Sequence, residues 1–257
     1  KIYSLNDCQM AKVMTLKTEQ LHKSSSQIVS KKRVSQHGEV YTAEREVKAM
    51  CDLVNDETQR LDSRFLEPAC GTGNFLVEIL NRKLEILKSK YKNSITDFEK
   101  YSVVTVGSIY GVELLSDNVE ICKKRLFDLW KKTYQNTFKK KINIDFENVI
   151  QFVLNKNILC GNALTLKQVD ENQNDLDKPI VFSEWSFVTG FLIKRRDFSF
   201  EEMIENPKFV KQKEKDLFSD LDTTKELPKK AFIPHPIKEF ALCDYRKIHI
   251  AEEEKNG

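Results

Sequence analysis

The stretch Phe65-Leu66-Glu67-Pro68-Ala69-Cys70-Gly71-Thr72-Gly73-Asn74-Phe75-Leu76 constrains this chain more than any other. Phe65 and Leu66 read as the end of a strand, Pro68 ends its ladder pairing, and Gly71-Thr72-Gly73 permits a tight turn. A helix follows from Asn74, with Phe75, Leu76, Ile79, Leu80, Leu84 and Leu87 at three- and four-residue spacing and Glu78, Arg82, Lys83 and Glu85 on the other face. Strand, glycine turn and helix in this order set bare backbone N–H groups beside a cavity at the carboxyl edge of a sheet, where open α/β folds bind ligands.

Spacing narrows the ligand. The dinucleotide fingerprint needs a third glycine where this chain has Leu76, and an acid about 20 residues further on. The phosphate loop needs Gly-Lys-Ser/Thr, and Gly73 is followed by Asn74. The run Glu67 to Leu76 instead resembles motif I of the S-adenosylmethionine-dependent DNA adenine-N6 methyltransferases. That resemblance implies a Rossmann-like α/β core, S-adenosylmethionine as cofactor and DNA as partner. It carries the turn from Gly71 to Gly73 under the methionine part of the cofactor and Glu67 near its amino group, with Ala69, Asn74 and Phe75 among the contacts.

Other segments match in the same order. Gln36-His37-Gly38-Glu39-Val40-Tyr41-Thr42-Ala43 and the helix after it resemble motif X, placed ahead of motif I as in the gamma arrangement, with Val40 where an aromatic often stands. By that resemblance Tyr41 and Thr42 close over the cofactor, Thr42 at its carboxylate. Thr42 also reads as an N-cap, with Glu44 and Glu46 at the positive end of the helix. Residues 92–104 are polar and read as a connection, after which Val106 to Leu114 forms a second strand ending in a carboxylate. A carboxylate there can accept from both hydroxyls of a ribose, so Glu113 is the candidate for that role; the other reading is a surface acid at a helix N-terminus. This block resembles motif II, with Leu114 beside it, although 40 residues separate Gly73 from Glu113. Asn157 to Leu164 reads as a third strand and turn resembling motif III, where the family most often carries Asp; here Asn162 and Ala163 stand, and Asn162 reads equally as a turn residue.

The catalytic half does not match. Val169 to Lys178 reads as a mobile acidic loop and Pro179 to Phe182 as a fourth strand, at whose end the family carries Asn, Asp or Ser, then Pro-Pro and an aromatic. This chain has Ser183-Glu184-Trp185-Ser186. Ser183 and Trp185 are the candidate catalytic pair, able to accept the amine hydrogens of a flipped adenine and to stack on it, against the alternative of an ordinary strand end. Further on, Phe187 to Ile193 can form a hairpin around Thr189-Gly190, and Lys194-Arg195-Arg196-Asp197-Phe198 reads either as a nucleic-acid contact or as a charged edge strand. His235, between two prolines, reads as a surface residue.

The 257 residues suffice for one sizeable α/β domain with an appendage: a helical N-terminal segment (1–36), a methyltransferase-like domain (37–200) with an incomplete sheet, and an irregular C-terminal extension (201–257). A net charge of +3 does not itself call for nucleic acid, and the clusters Lys31-Lys32-Arg33 and Phe138 to Lys141 read as solvated faces or as phosphate contacts. The six cysteines form no CxxC pair and read as reduced core residues of a cytoplasmic protein; no metal is implied. No apolar run approaches the roughly 18 residues of a membrane span. The expected function is a methyltransferase of restriction-modification type. The alternatives are a catalytically silent cofactor-binding homologue serving a second protein subunit, and a methyltransferase with a substrate other than DNA.

Overall fold

The computed structural model describes residues 3–5, 42–204 and 235–251. Its main sheet is built from β1 (Tyr3–Leu5), β2 (Arg64–Glu67), β3 (Ile109–Glu113) and β4 (Ile158–Cys160), in that spatial order. Strands β2, β3 and β4 are parallel, and β1 runs antiparallel along β2. Six helices accompany them: α1 (Glu44–Asp52), α2 (Asn55–Thr58), α3 (Asn74–Tyr91), α4 (Ile95–Gly107), α5 (Ser116–Phe138) and α6 (Ile144–Asn157).

Strand alternation decides what each face buries. Phe65 and Ile109 enter the larger cluster, with Leu76, Ile79, Leu80, Leu84 and Leu87 of α3 and the apolar sides of α4, α5 and α6. Leu66, Tyr110 and Val112 point the other way, where Ile180, Phe182 and Phe200 cover them. The spacing read in α3 is the stripe it buries, with one correction. Lys83 is fully buried and donates to Leu61 O (3.4 Å), to Ser63 O and to Ser108 Oγ (2.7 Å). It thereby ties α3 to the loops that begin β2 and β3, and burial pulls its ammonium pKa down to about 7.

Several segments differ from their sequence reading. Most of the supposed connection at 92–104 is α4, started by Ser94, whose hydroxyl accepts from the Asp97 N–H at 3.2 Å. The acidic run expected to be a mobile loop is a hairpin of β5 (Lys167–Val169) and β6 (Asp175–Pro179). Asp170 closes its turn by accepting from the Asn172 and Asn174 N–H groups, both at 2.8 Å. Within the segment expected to be helical, Tyr3–Leu5 is a strand, and the helix read over residues 10–21 lies outside the described residues.

The largest difference concerns the fourth strand. β7 (Val181–Thr189) does not join β2 but pairs antiparallel with β8 (Leu192–Ser199) through a tight turn at Gly190 (φ +53°), so the expected hairpin forms and takes up the whole segment. After β8 comes the short helix α7 (Phe200–Ile204). β9 (Lys238–Glu239) and β10 (Cys243–Asp244) then lie along β8, which is therefore interior to its sheet rather than an edge. The charges of β8 are accommodated by pairing: Arg195 and Asp197 are buried against each other at 2.8 Å, with Phe240 4.1 Å from the guanidinium. Tyr245 and Ile248, from the expected extension, are buried in the main core. His235 is exposed, and no helix among the described residues is long and apolar enough to cross a membrane.

Candidate functional site

Three parallel strands end at one edge, and Glu113 ties those ends together. Its Oε2 accepts from the Gly71 N–H at 2.8 Å and its Oε1 from the Leu115 N–H at 3.1 Å, while its main-chain oxygen accepts from the Gly161 N–H at 3.0 Å. The glycine turn after β2, the end of β3 and the turn after β4 are thus held around one carboxylate. Cys70 N–H also donates to Val112 O at 2.9 Å, which fixes the start of the turn against β3.

The two glycines of the turn do different things. Gly73 (φ +87°) is packed, since a Cβ there would lie 2.5 Å from Cys122 Sγ. Gly71 (φ +52°) faces open space, with nothing within 4 Å of an added Cβ. Gly71 therefore leaves open backbone at the carboxyl edge, close before the N-terminus of α3, which no side chain caps.

Glu67, at the end of β2, is 4% exposed. Burial pushes its carboxyl up to about 7, against the lowering effect of a hydrogen bond from the Ala69 N–H. Thr42 is brought to the turn, its carbonyl accepting from Asn74 Nδ2 at 3.5 Å. It is not the helix cap: Ala43 holds that position with no side-chain hydrogen bond. Tyr41 lies outside the described residues. Asn162 builds the local turn, its Oδ1 accepting from the Leu164 N–H (3.0 Å) and its Nδ2 donating to Asp175 (3.1 Å). Ala163 beside it packs on the face of Leu66 and Val112. Beyond Glu113, Leu114 and Cys160 help line a cleft of about 230 Å³ that reaches Asp170 and Gln173 of the β5–β6 turn.

Sequence reasoning missed Arg125. One of its guanidinium nitrogens, Nη1, donates to Thr72 O (2.6 Å), Thr72 Oγ1 (3.2 Å) and Asn74 Oδ1 (2.9 Å), so α5 holds the outer wall of the turn. The available signal was its place three residues after the buried Cys122, on the same side of the helix.

Thr42, Glu67, Ala69, Gly71, Gly73, Asn74, Phe75, Glu113, Leu114, Asn162 and Ala163 thus gather at one edge, but the expected catalytic pair does not join them. Ser183 N–H donates to Asn157 Oδ1 (3.0 Å), its carbonyl accepts from Tyr110 OH (3.3 Å), and its hydroxyl is used by Asp197 and Arg195. Trp185 packs on Gly107, which precedes β3. Both residues therefore sit at the amino ends of the strands, about 13 Å from the turn by the length of β3. The hairpin is the reason: β7 follows β8 instead of running out to the carboxyl edge. Among the described residues, no group of three or more His, Cys, Asp or Glu could hold a metal ion.

Three parallel strands flanked by helices, with a glycine turn after one strand and a carboxylate at the end of the next, define an α/β domain. The model of a family described as MmeI, DNA-methyltransferase domain, matches residues 42–229, well over half of the chain, and the chain belongs to this family. A putative type II restriction enzyme and methyltransferase, RM.MjaORFECS2P of Methanocaldococcus jannaschii, is 29% identical over 124 residues, 47% of this chain. The aligned part is 10% of that relative, so the chain spans a small share of its length. No solved structure gives a significant match.

Proposed function

We propose that this chain is the cofactor-holding part of an S-adenosylmethionine-dependent DNA adenine-N6 methyltransferase of restriction-modification type, with a Rossmann-like core. The observation that carries the proposal is the bare cradle at Gly71, open to solvent space and flanked by two carboxylates of opposite character. Family membership and the resemblance of the relative support the reaction class.

The residues present fit that cofactor. Glu113 already accepts two backbone N–H groups, and a carboxylate offers about four acceptor positions, so it retains capacity for a ribose diol. Glu67, a buried carboxyl group at the end of β2, is suited to a ligand ammonium. The amides at the start of α3 and the Thr42 hydroxyl are suited to a carboxylate. The cleft beside Leu114 and Cys160 is suited to the adenine ring, with Asn162 and Ala163 at the next strand end. When bound, S-adenosylmethionine supplies an electrophilic sulfonium methyl group. What this chain contributes is alignment: Arg125 and Glu113 hold the turn rigid, so the cofactor's conformation is fixed before a base arrives. None of the described residues at this edge stands in for the Pro-Pro group, and the sequence has no Pro-Pro pair. In this proposal the base-holding group comes from outside the described residues, from the same protein or from a second subunit.

The test is transfer of labelled methyl from S-adenosylmethionine to adenine-containing DNA. Label recovered as N6-methyladenine, and lost with Glu113→Ala, is the expected result. Cofactor binding without transfer, with any co-purifying subunit present, would sink the enzyme reading in favour of a silent homologue, and transfer indifferent to DNA would point to another substrate.

A further inference from the structure

The edge opposite the glycine turn carries a second cavity. There the loops that begin β2 and β3, the end of α3 and the middle of β7 enclose about 490 Å³, within the range of small-molecule sites. Its walls are aromatic. Tyr91 and Tyr101 stack at 4.4 Å with 8° between their planes, and Trp185 and Phe187 come in from β7. Arg60, Arg64 and Lys90 also line it, as do Asp62 and Glu184; Arg60 is paired with Asp62 at 3.4 Å and Arg64 with Glu184 at 3.1 Å, while Lys90 is exposed.

Trp185 supplies an independent observation. It is 5% exposed, and its indole Nε1–H has no acceptor among the described residues. A buried donor left unpaired costs about 1–3 kcal/mol, so such a group calls for a partner. Its edge lies against Gly107, another wall residue, where a Cβ would stand 2.5 Å from Cδ1 and 3.4 Å from Nε1. Gly107 thus keeps the polar edge of the indole beside the cavity.

We propose that this cavity binds a nucleotide. An aromatic wall takes a flat ring, the orphan indole N–H takes an acceptor on the edge of that ring, and exposed Lys90 takes an anion attached beyond it. A base with its phosphate combines all three. The source is either a free nucleotide or one nucleotide of a single DNA strand. The cavity shares no residue with the carboxyl edge, so the inference stands apart from the proposed function.

The chain has two tryptophans, so 5-fluorotryptophan labelling gives two fluorine NMR resonances, and Trp185→Phe assigns them. Adenosine 5′-monophosphate and a short single-stranded DNA are titrated separately. The expected result is a saturable shift of the Trp185 resonance alone, retained in Gly71→Asn, with affinity about tenfold weaker in Lys90→Glu. A response to the mononucleotide identifies a free nucleotide, and a response to the strand alone identifies DNA. No saturable shift with either probe up to about 1 mM overturns the inference, as does a shift that disappears in Gly71→Asn.

Discussion

At the scale of single residues, the two glycines of the turn separate stability from binding. Gly73→Ala forces a Cβ to 2.5 Å from the Sγ of fully buried Cys122 at φ +87°. Left-handed strain and overpacking together cost about 2–4 kcal/mol, read as a lower urea midpoint. Adding Cys122→Ala recovers the overpacking share and leaves the backbone share. Gly71→Asn, at φ +52° with open space around it, stays within about 1 kcal/mol of wild type, because Asn tolerates that conformation. Equal losses at both positions would contradict this division. Glu67 gives a pH signature. Its folded pKa, about 7, lies above its ordinary value of 4.5. The folded state therefore holds the proton more tightly, and the associated stability, complete below about 4.5, is lost as pH rises through about 7. A ligand ammonium reverses the shift, so cofactor binding between those values releases protons. Calorimetric enthalpy near pH 6.5 then varies with the ionisation enthalpy of the buffer, and Glu67→Gln removes that variation.

At the scale of elements, the turn depends on α5 as well as on its own glycines. Arg125→Ala removes a charge-assisted set of hydrogen bonds to Thr72 and Asn74, worth about 1.5–3 kcal/mol, or roughly 10- to 100-fold in cofactor affinity. The unfolding midpoint moves less than in Gly73→Ala, and Arg125→Lys restores part of the affinity. Unchanged affinity in Arg125→Ala would show that the turn holds its shape without this clamp. Elements also differ in how far local sequence reveals them. The apolar stripe of α3 was legible because its leucines and isoleucines keep the helical spacing. α4 was not, because two of its buried positions are polar: Ser102 accepts from Trp130 Nε1 at 3.0 Å, and Thr105 donates to Tyr101 O at 2.8 Å. These bonds remove the cost of burial but erase the hydrophobic pattern. Lys83 was misread for the same reason, its charge pointing to a surface that its hydrogen bonds make unnecessary.

At the scale of the whole molecule, the glycine turn and the acid at the end of β3 were legible and the partner of β7 was not. A glycine turn after a strand and an acid at the end of the next are local signals, and the structure brings them to one carboxylate. Which strand pairs with which is a non-local choice. The segment at Pro179 to Ser186 reads the same whether it extends the main sheet or folds back on β8, and here Gly190 and the buried Arg195–Asp197 pair, which also engages the Ser183 hydroxyl, favour the hairpin. Ser183 and Trp185 were therefore carried to the opposite edge, which gives that edge its own cavity. The central claim is that the carboxyl edge holds S-adenosylmethionine through Gly71, Glu67 and Glu113. Calorimetric titration with S-adenosylmethionine tests it most directly, comparing wild type with Gly71→Asn and Glu113→Ala. The account predicts saturable one-site binding to wild type and none to Gly71→Asn at unchanged fold, with Glu113→Ala severely weakened. Folded wild-type protein that takes up no cofactor, or a Gly71→Asn variant that binds as wild type does, would contradict it.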